Sequence, residues 1–267
     1  MNRILFEKDE IVDGIATFGG ERAEHVMNVL HGEVGQILKT GEIGGFIGTG
    51  VITGITRPPS SVSSPEITVA CSHDKRSLRP WVDLILAPPR PRVMKRLLPQ
   101  LATMGVGRIF LVGAKKVEKD FWGATLLKPE NYRPLLVDGL MQAGTSILPT
   151  LETRRNFRKF VKEELDTLWP EAKRIVAHPY GGGEDIRRGT EDLRGLETLD
   201  GNRSLKSNVS RPRILLAVGP EGGWTDEEVT LLGEHGFARY SLGSRILRTD
   251  TATIALLAQL MKEFDKC

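Results

Sequence analysis

Residues 213–229 read Arg213-Ile-Leu-Leu-Ala-Val-Gly-Pro-Glu-Gly-Gly-Trp-Thr-Asp-Glu-Glu-Val229. The apolar run up to Val218 is continuous rather than alternating, as in a strand covered on both faces. It ends in Gly219-Pro220-Glu221-Gly222-Gly223. Thr225 and Glu228 then make an S/T-x-x-E capping box, with Trp224 and Val229 spaced as a hydrophobic staple. The glycines therefore stand at the carboxyl end of a buried strand, just before a helix. That is the edge at which open α/β sheets bind ligands, and glycine lets backbone groups approach a ligand closely. A plain tight turn also uses Gly-Pro and Gly-Gly.

Outward from this stretch, strands and helices alternate. VDLILA (82–87), RIFLVG (108–113), RIVAHP (174–179) and a short run at 238–242 read as strands. Val93, Leu97, Leu101 and Met104 recur at helical spacing over 91–104. Pro99 lies inside that segment, where it should kink or limit the helix. Further helices are expected over about 129–143, with Pro129 in the first turn, and over 250–264. This alternation implies a mostly parallel sheet with helices on both faces.

The first 72 residues differ. GQILKT, GGFIGTGVITGI and EITVAC are short β-type runs separated by turn residues, the pattern of a small barrel or sandwich. One helix is expected around 21–30, with Val26, Val29 and Leu30 on one face. Residues 57–65 read as a polar loop and 72–80 as a linker, so the expected domains are 1–74 and 75–267. GTGVITG (48–54) has the wrong spacing and setting for a dinucleotide fingerprint.

The chain has 267 residues, 40% of them hydrophobic and 27% charged. Those values suit a globular chain and exclude wholesale disorder. No apolar run approaches a membrane span, and the amino terminus turns acidic too early for a secretory signal. Cys71 and Cys267 cannot build a disulfide framework or a zinc site, which favours a reducing cytoplasm. The histidines have no ligand spacing, so no metal is expected. The net charge of +3 hides an asymmetry. Residues 1–72 carry five basic and nine acidic side chains. Between Lys75 and Arg96 there are seven cations, including Arg90, Arg92, Lys95 and Arg96, and one anion, Asp83. Such a block suits a phosphate backbone; a solvated helix face would look the same.

A second strand–loop–helix unit reads Leu242-Gly-Ser-Arg-Ile-Leu-Arg-Thr-Asp-Thr-Ala252, with Thr249 or Asp250 as the expected cap. Ile246 and Leu247 are odd in a short loop unless buried or covering something flat and apolar. Arg245 and Arg248 flank them and suit an anionic substrate. His178 ends a strand at the same edge, and Gly181–Gly183 follows it.

The two runs LAVGPEGGWTDEEV and LGSRILRTDTATIAL together resemble the RsmE family of 16S ribosomal RNA (uracil-N3)-methyltransferases, of the SPOUT superfamily. His25-Val-Met-Asn-Val-Leu30, Leu86–Arg92, Leu101–Ile109 and Val117–Trp122 are similar to further family elements, so the resemblance spans nearly the whole chain. It implies a PUA-like β-barrel that helps bind RNA. It also implies a SPOUT-type α/β domain with a carboxyl-terminal trefoil knot, S-adenosylmethionine as cofactor, ribosomal RNA of the small subunit as partner, and a homodimer. It implies a cofactor site made of His178, Val218, Gly219, Pro220, Glu221, Gly222, Gly223, Leu242, Gly243, Ile246, Leu247, Arg248 and Thr249. The adenine would lie against Ile246 and Leu247. Arg248, then Arg245, are the cations expected near the reacting base. The chain departs from the family at His31, Met141 and Gly144 or Thr145, and carries Asp250 where glutamate is usual. Those departures leave open a non-catalytic RNA-binding protein of the same fold, or a methyltransferase for another RNA base.

Overall fold

The computed structural model describes residues 2–56, 65–179 and 213–265, with side chains to 262. Most of the 57–65 loop, Gly181–Gly183 and Cys267 lie outside the described residues. The chain divides into two compact units, residues 1–79 with 133–148, and residues 80–132 with 149–267.

In the first unit, β1 (Ile4–Phe6), β2 (Ile11–Val12), β3 (Ile15–Phe18), β4 (Ile37–Glu42), β5 (Ile47–Thr56) and β6 (Glu66–Lys75) form one sheet in the order β1-β4-β5-β6-β3-β2. Only β1–β4 is parallel. The core gathers Phe6, Phe18, Val26, Ile52, Ile67 and Val69. At the β5–β6 irregularity a side chain on Gly48 would come within 1.9 Å of the Ser72 carbonyl oxygen, so only glycine fits. The helix α1 (Gly20–Asn28) buries Ala23 and Val26. Contrary to expectation, Val29 is 60% exposed and Leu30 is also exposed. The helix has already ended, and His31 turns the chain away at φ 50°. The 72–80 segment is not all linker either: β6 pairs with β5 as far as Lys75.

Residues 133–148 complete this unit. The Met141 carbonyl accepts from the backbone N–H of Asn2 and Arg3 at 3.0 and 3.1 Å. Arg133 pairs with Glu7. The Ser146 hydroxyl donates to the Gly45 carbonyl at 2.7 Å.

The second unit holds β7 (Val82–Leu86), α2 (Pro91–Thr103), β8 (Val106–Val112), the start of α3 (Pro129–Ala143), β9 (Thr150–Arg154), α4 (Phe157–Glu163), α5 (Leu165–Leu168), β10 (Lys173–Ala177), β11 (Ile214–Val218), α6 (Asp226–Glu234), β12 (Ala238–Tyr240) and α7 (Thr249–Asp265). Its strands run in the order β12-β10-β11-β7-β8-β9, all parallel. Every residue of β7 and β11 is buried, which explains their unbroken apolar runs. The helix α2 continues through Pro99 to Thr103. An aromatic cluster of Phe110, Phe160 and Trp169 packs α4 and α5 on the sheet, with Phe110 and Trp169 centroids 4.9 Å apart.

Candidate functional site

The order β12-β10-β11 brings the carboxyl ends of three strands side by side. Just beyond β10, the His178 N–H donates at 3.0 Å to the carbonyl of Tyr240, the last residue of β12. The Ser241 hydroxyl donates to the Pro179 and Gly243 carbonyls at 3.3 and 3.1 Å, joining the segments after those strands. A cavity of about 610 Å³ opens there, within the ~300–1,000 Å³ usual for small-molecule sites.

The 219–223 loop forms one wall. Its turn is closed by the Gly223 N–H donating to the Pro220 carbonyl at 2.8 Å, with Gly223 at φ 71°. A Cβ on Gly219 would lie 3.0 Å from the Trp224 indole, and one on Gly222 3.1 Å from Lys116 Cδ. At both positions the missing side chain makes room for a neighbouring residue of the protein. The expected capping box is present: the Glu228 N–H reaches Thr225 Oγ1 at 3.4 Å, and Glu228 Oε2 accepts from the Thr225 N–H at 2.8 Å. Trp224 and Val229 are both buried in the same core, as a staple requires.

The 242–249 loop forms the opposite wall. Ile246 is 72% exposed and Leu247 37%, and both line the cavity. Large apolar side chains held open at a concave site suit an apolar ligand face. The helix α7 starts at Thr249, and its first turn closes on the Arg248 carbonyl, which accepts from Ala252 N–H at 2.8 Å. Neither Thr249 nor Asp250 is therefore the capping residue. Asp250 instead lies in the first turn, where a negative charge favours the exposed N–H groups.

Of the candidate residues, His178, Val218, Gly219, Pro220, Glu221, Gly222, Gly223, Leu242, Arg245, Ile246, Leu247 and Thr249 all line this one cavity. Gly243 and Arg248 lie outside its lining, and the Arg248 side chain is 75% exposed. Arg90, Arg92, Lys95 and Arg96 belong to the start and exposed face of α2. Arg90 reaches Glu221 of the first loop at 3.3 Å and Arg96 reaches Asp250 in the first turn of α7 at 3.4 Å. Met141 is buried and Thr145 bonds Ser77 at 2.7 Å, both within the first unit. Lys116, Tyr240, Ser241, Ala252 and Leu256 also line the cavity and escaped the sequence reading. Lys116 follows β8, so the strand-end rule that found the glycine loops extends to it. Among the described residues no group of three His, Cys, Asp or Glu is placed to hold a metal ion, and no helix is long and apolar enough to cross a membrane.

The model of the family described as RNA methyltransferase domain matches residues 76–261. The chain is 28% identical over 98% of its length to the ribosomal RNA small subunit methyltransferase E of Treponema pallidum, covering 91% of that protein. It is 24% identical to ribosomal RNA small subunit methyltransferase E 1 of Borreliella burgdorferi, covering 96% of this chain and 95% of that one. A crystal structure of the Neisseria gonorrhoeae ribosomal RNA small subunit methyltransferase E bound to S-adenosyl methionine superposes with a TM-score of 0.65 at 20% identity, over 98% of this chain and 97% of that one. At that identity the likeness speaks for the fold. The strand order, the paired loops and the family match across most of the second unit agree: this chain belongs to the RNA methyltransferase domain family.

Proposed function

We propose that this protein transfers the methyl group of S-adenosylmethionine to N3 of a uridine in small-subunit ribosomal RNA, working in the cytoplasm as a homodimer. The observation that carries the reading is the meeting of the 219–223 and 242–249 loops in one cavity at the carboxyl ends of β10, β11 and β12. The relatives named for small-subunit ribosomal RNA support the substrate, and the S-adenosyl methionine bound in the Neisseria structure supports the cofactor. On this reading both loops belong to the trefoil knot that the resemblance implies.

The residues present fit the cofactor. The volume is adequate, the apolar pair Ile246 and Leu247 stands open to take a flat ring, and residues 219–223 line the wall. His178, Val218, Leu242 and Thr249 complete the lining that would hold it, with Gly243 and Arg248 outside that lining. When bound, S-adenosylmethionine supplies a methyl group already activated on a sulfonium. The work left to the protein is alignment and charge handling. Alignment in near-attack geometry contributes up to ~7–11 kcal/mol. Uracil N3 must lose its imide proton, and a cation beside the carbonyl oxygens stabilises the resulting uridinate. Arg245 is the arginine in the cavity lining and takes this role first; Arg248, exposed outside the lining, takes it second. Glu221 and Asp250 already face Arg90 and Arg96 at 3.3 and 3.4 Å. On this reading the imide proton is lost directly to water.

The departures at Met141 and Thr145 are occupied in packing and hydrogen bonding of the first unit, and so do not argue against an active enzyme. The test is transfer of labelled methyl from the cofactor to ribosomal RNA from cells lacking this protein, followed by nucleoside analysis. Labelled 3-methyluridine is the expected product. Label on another base overturns the position, and no label on any RNA overturns the enzyme. Arg245→Ala is expected to lower turnover with cofactor affinity retained.

A further inference from the structure

We infer that Lys116 is a positioning residue that holds the 219–223 loop in its cofactor-binding shape; this rests on the cofactor reading above.

The segment after β8 is a platform rather than a free loop. A Cβ on Gly113 would lie 1.9 Å from the Arg155 carbonyl oxygen, and the Gly113 N–H donates to the Arg154 carbonyl at 3.0 Å. The chain's exit from β8 is therefore pressed against the segment following β9. The Val117 N–H then closes a turn on the Ala114 carbonyl at 3.0 Å. Ala114 is buried, and Val117 packs against the same core as Trp224 and Val229.

Two donors leave this platform for the glycine loop and the helix behind it. The Lys115 N–H donates to Glu228 Oε1 at 2.7 Å, while the other oxygen of Glu228 serves the capping box. Lys116 Nζ donates to the Gly222 carbonyl at 2.8 Å. The lysine stem lies along the loop as well, since a Cβ on Gly222 would meet Lys116 Cδ at 3.1 Å and Cβ at 3.4 Å. Gly222 has no left-handed φ to require glycine. Its lack of a side chain is explained by the lysine that covers it.

The loop needs such support. Beside the large cavity lies a second one of about 310 Å³, walled in part by Pro88, Val117 and Phe121. Pro220, Glu221, Gly222 and Lys116 line both. Residues 220–222 are thus a partition between two hollows. The Arg90–Glu221 pair on this partition is largely exposed, and solvent screens it. The Lys116 bond to the Gly222 carbonyl is exposed too, but the lysine stem laid along the chain adds packing to the charge-assisted bond.

The test compares Lys116→Met, which keeps a long stem and removes the donors, with Lys116→Arg, which restores them. Two readouts are taken: amide hydrogen exchange over 219–225 in the ligand-free protein, and calorimetric binding of S-adenosylhomocysteine. Lys116→Met should speed exchange and weaken binding about tenfold with an unchanged melting temperature, and Lys116→Arg should recover most of both. In turnover assays the methionine variant should raise KM for S-adenosylmethionine and leave KM for RNA alone. Wild-type exchange and wild-type affinity in Lys116→Met overturn the assignment. Wild-type protein that takes up no S-adenosylhomocysteine overturns the cofactor reading and this role together, whereas normal wild-type binding with an undiminished methionine variant overturns the lysine's role alone.

Discussion

Near the amino end of β7, the Asp83 carboxylate is fully buried and fully used. It accepts from the Arg108 N–H at 2.9 Å, Arg108 Nε at 2.8 Å, Trp169 Nε1 at 2.7 Å and Arg213 Nη1 at 3.0 Å. Arg108 also stacks 4.5 Å from the Trp169 ring. At the carboxyl ends of the same sheet, Ile246 and Leu247 stand exposed and an open cavity is walled by loops. At one edge a buried carboxylate has both oxygens committed within the protein. The other leaves surface uncovered. Saturation gives rigidity and leaves nothing for a ligand; incompleteness is what a binding edge requires.

Breaking the saturated edge should have the largest effect. Asp83→Ala leaves the buried Trp169 N–H without its acceptor and two arginines without their carboxylate, and should cost about 2–3 kcal/mol of stability by chemical denaturation. A variant as stable as the parent would dissolve the contrast. Next comes Glu228→Ala, which removes the capping box and the Lys115 link. A loss of about 1–2 kcal/mol is expected from the urea midpoint, with weaker S-adenosylhomocysteine binding, because this residue braces the open edge. Ile246→Ser should show the converse. Its stability should stay within about 0.5 kcal/mol of the parent, while cofactor affinity measured by calorimetry drops severalfold. A clear loss of stability there would mean that the exposed side chain serves the fold.

The smallest effect is a pH dependence at the amino edge. Arg174 holds the Asp166 carboxyl below its usual value of 3.8, against some burial, and His235 adds to this. A carboxyl with a lowered folded-state pKa stabilises the fold above its unfolded value, and that stabilisation is lost as pH falls through the folded value. Asp166→Asn should therefore shift the urea midpoint slightly at pH 7 and not at all in strong acid. An equal shift at both would show that the interaction is not ionic.

Much of the chain beyond residue 80 is legible in the sequence because its signals are local. The helix expected over 129–143 has those bounds, and the capping box and staple fall on Thr225, Glu228, Trp224 and Val229. β9, α4 and α5 escaped notice. The strand Thr150–Arg154 is at the sheet's edge and mixes charged with apolar residues, and the two helices are too short for a clear period. Val29 and Leu30 continue the apolar spacing of α1 after the helix has stopped, so periodicity misassigned them.

Residues within a few positions of one another specify the alternation of strand and helix, the two glycine-bearing turns and the capping box after the first of them; the cap of the second was misplaced by one residue. Asp83 reads along the chain as one acid in a basic block. Only the tertiary structure gives it Arg108, Trp169 and Arg213, which lie 25 to 130 positions away. The same holds for Lys116 on Gly222, 106 positions apart, and for the cavity between the two loops. Through-space neighbours are set by the order in which strands enter the sheet, and strand order has no signature in any short stretch of residues.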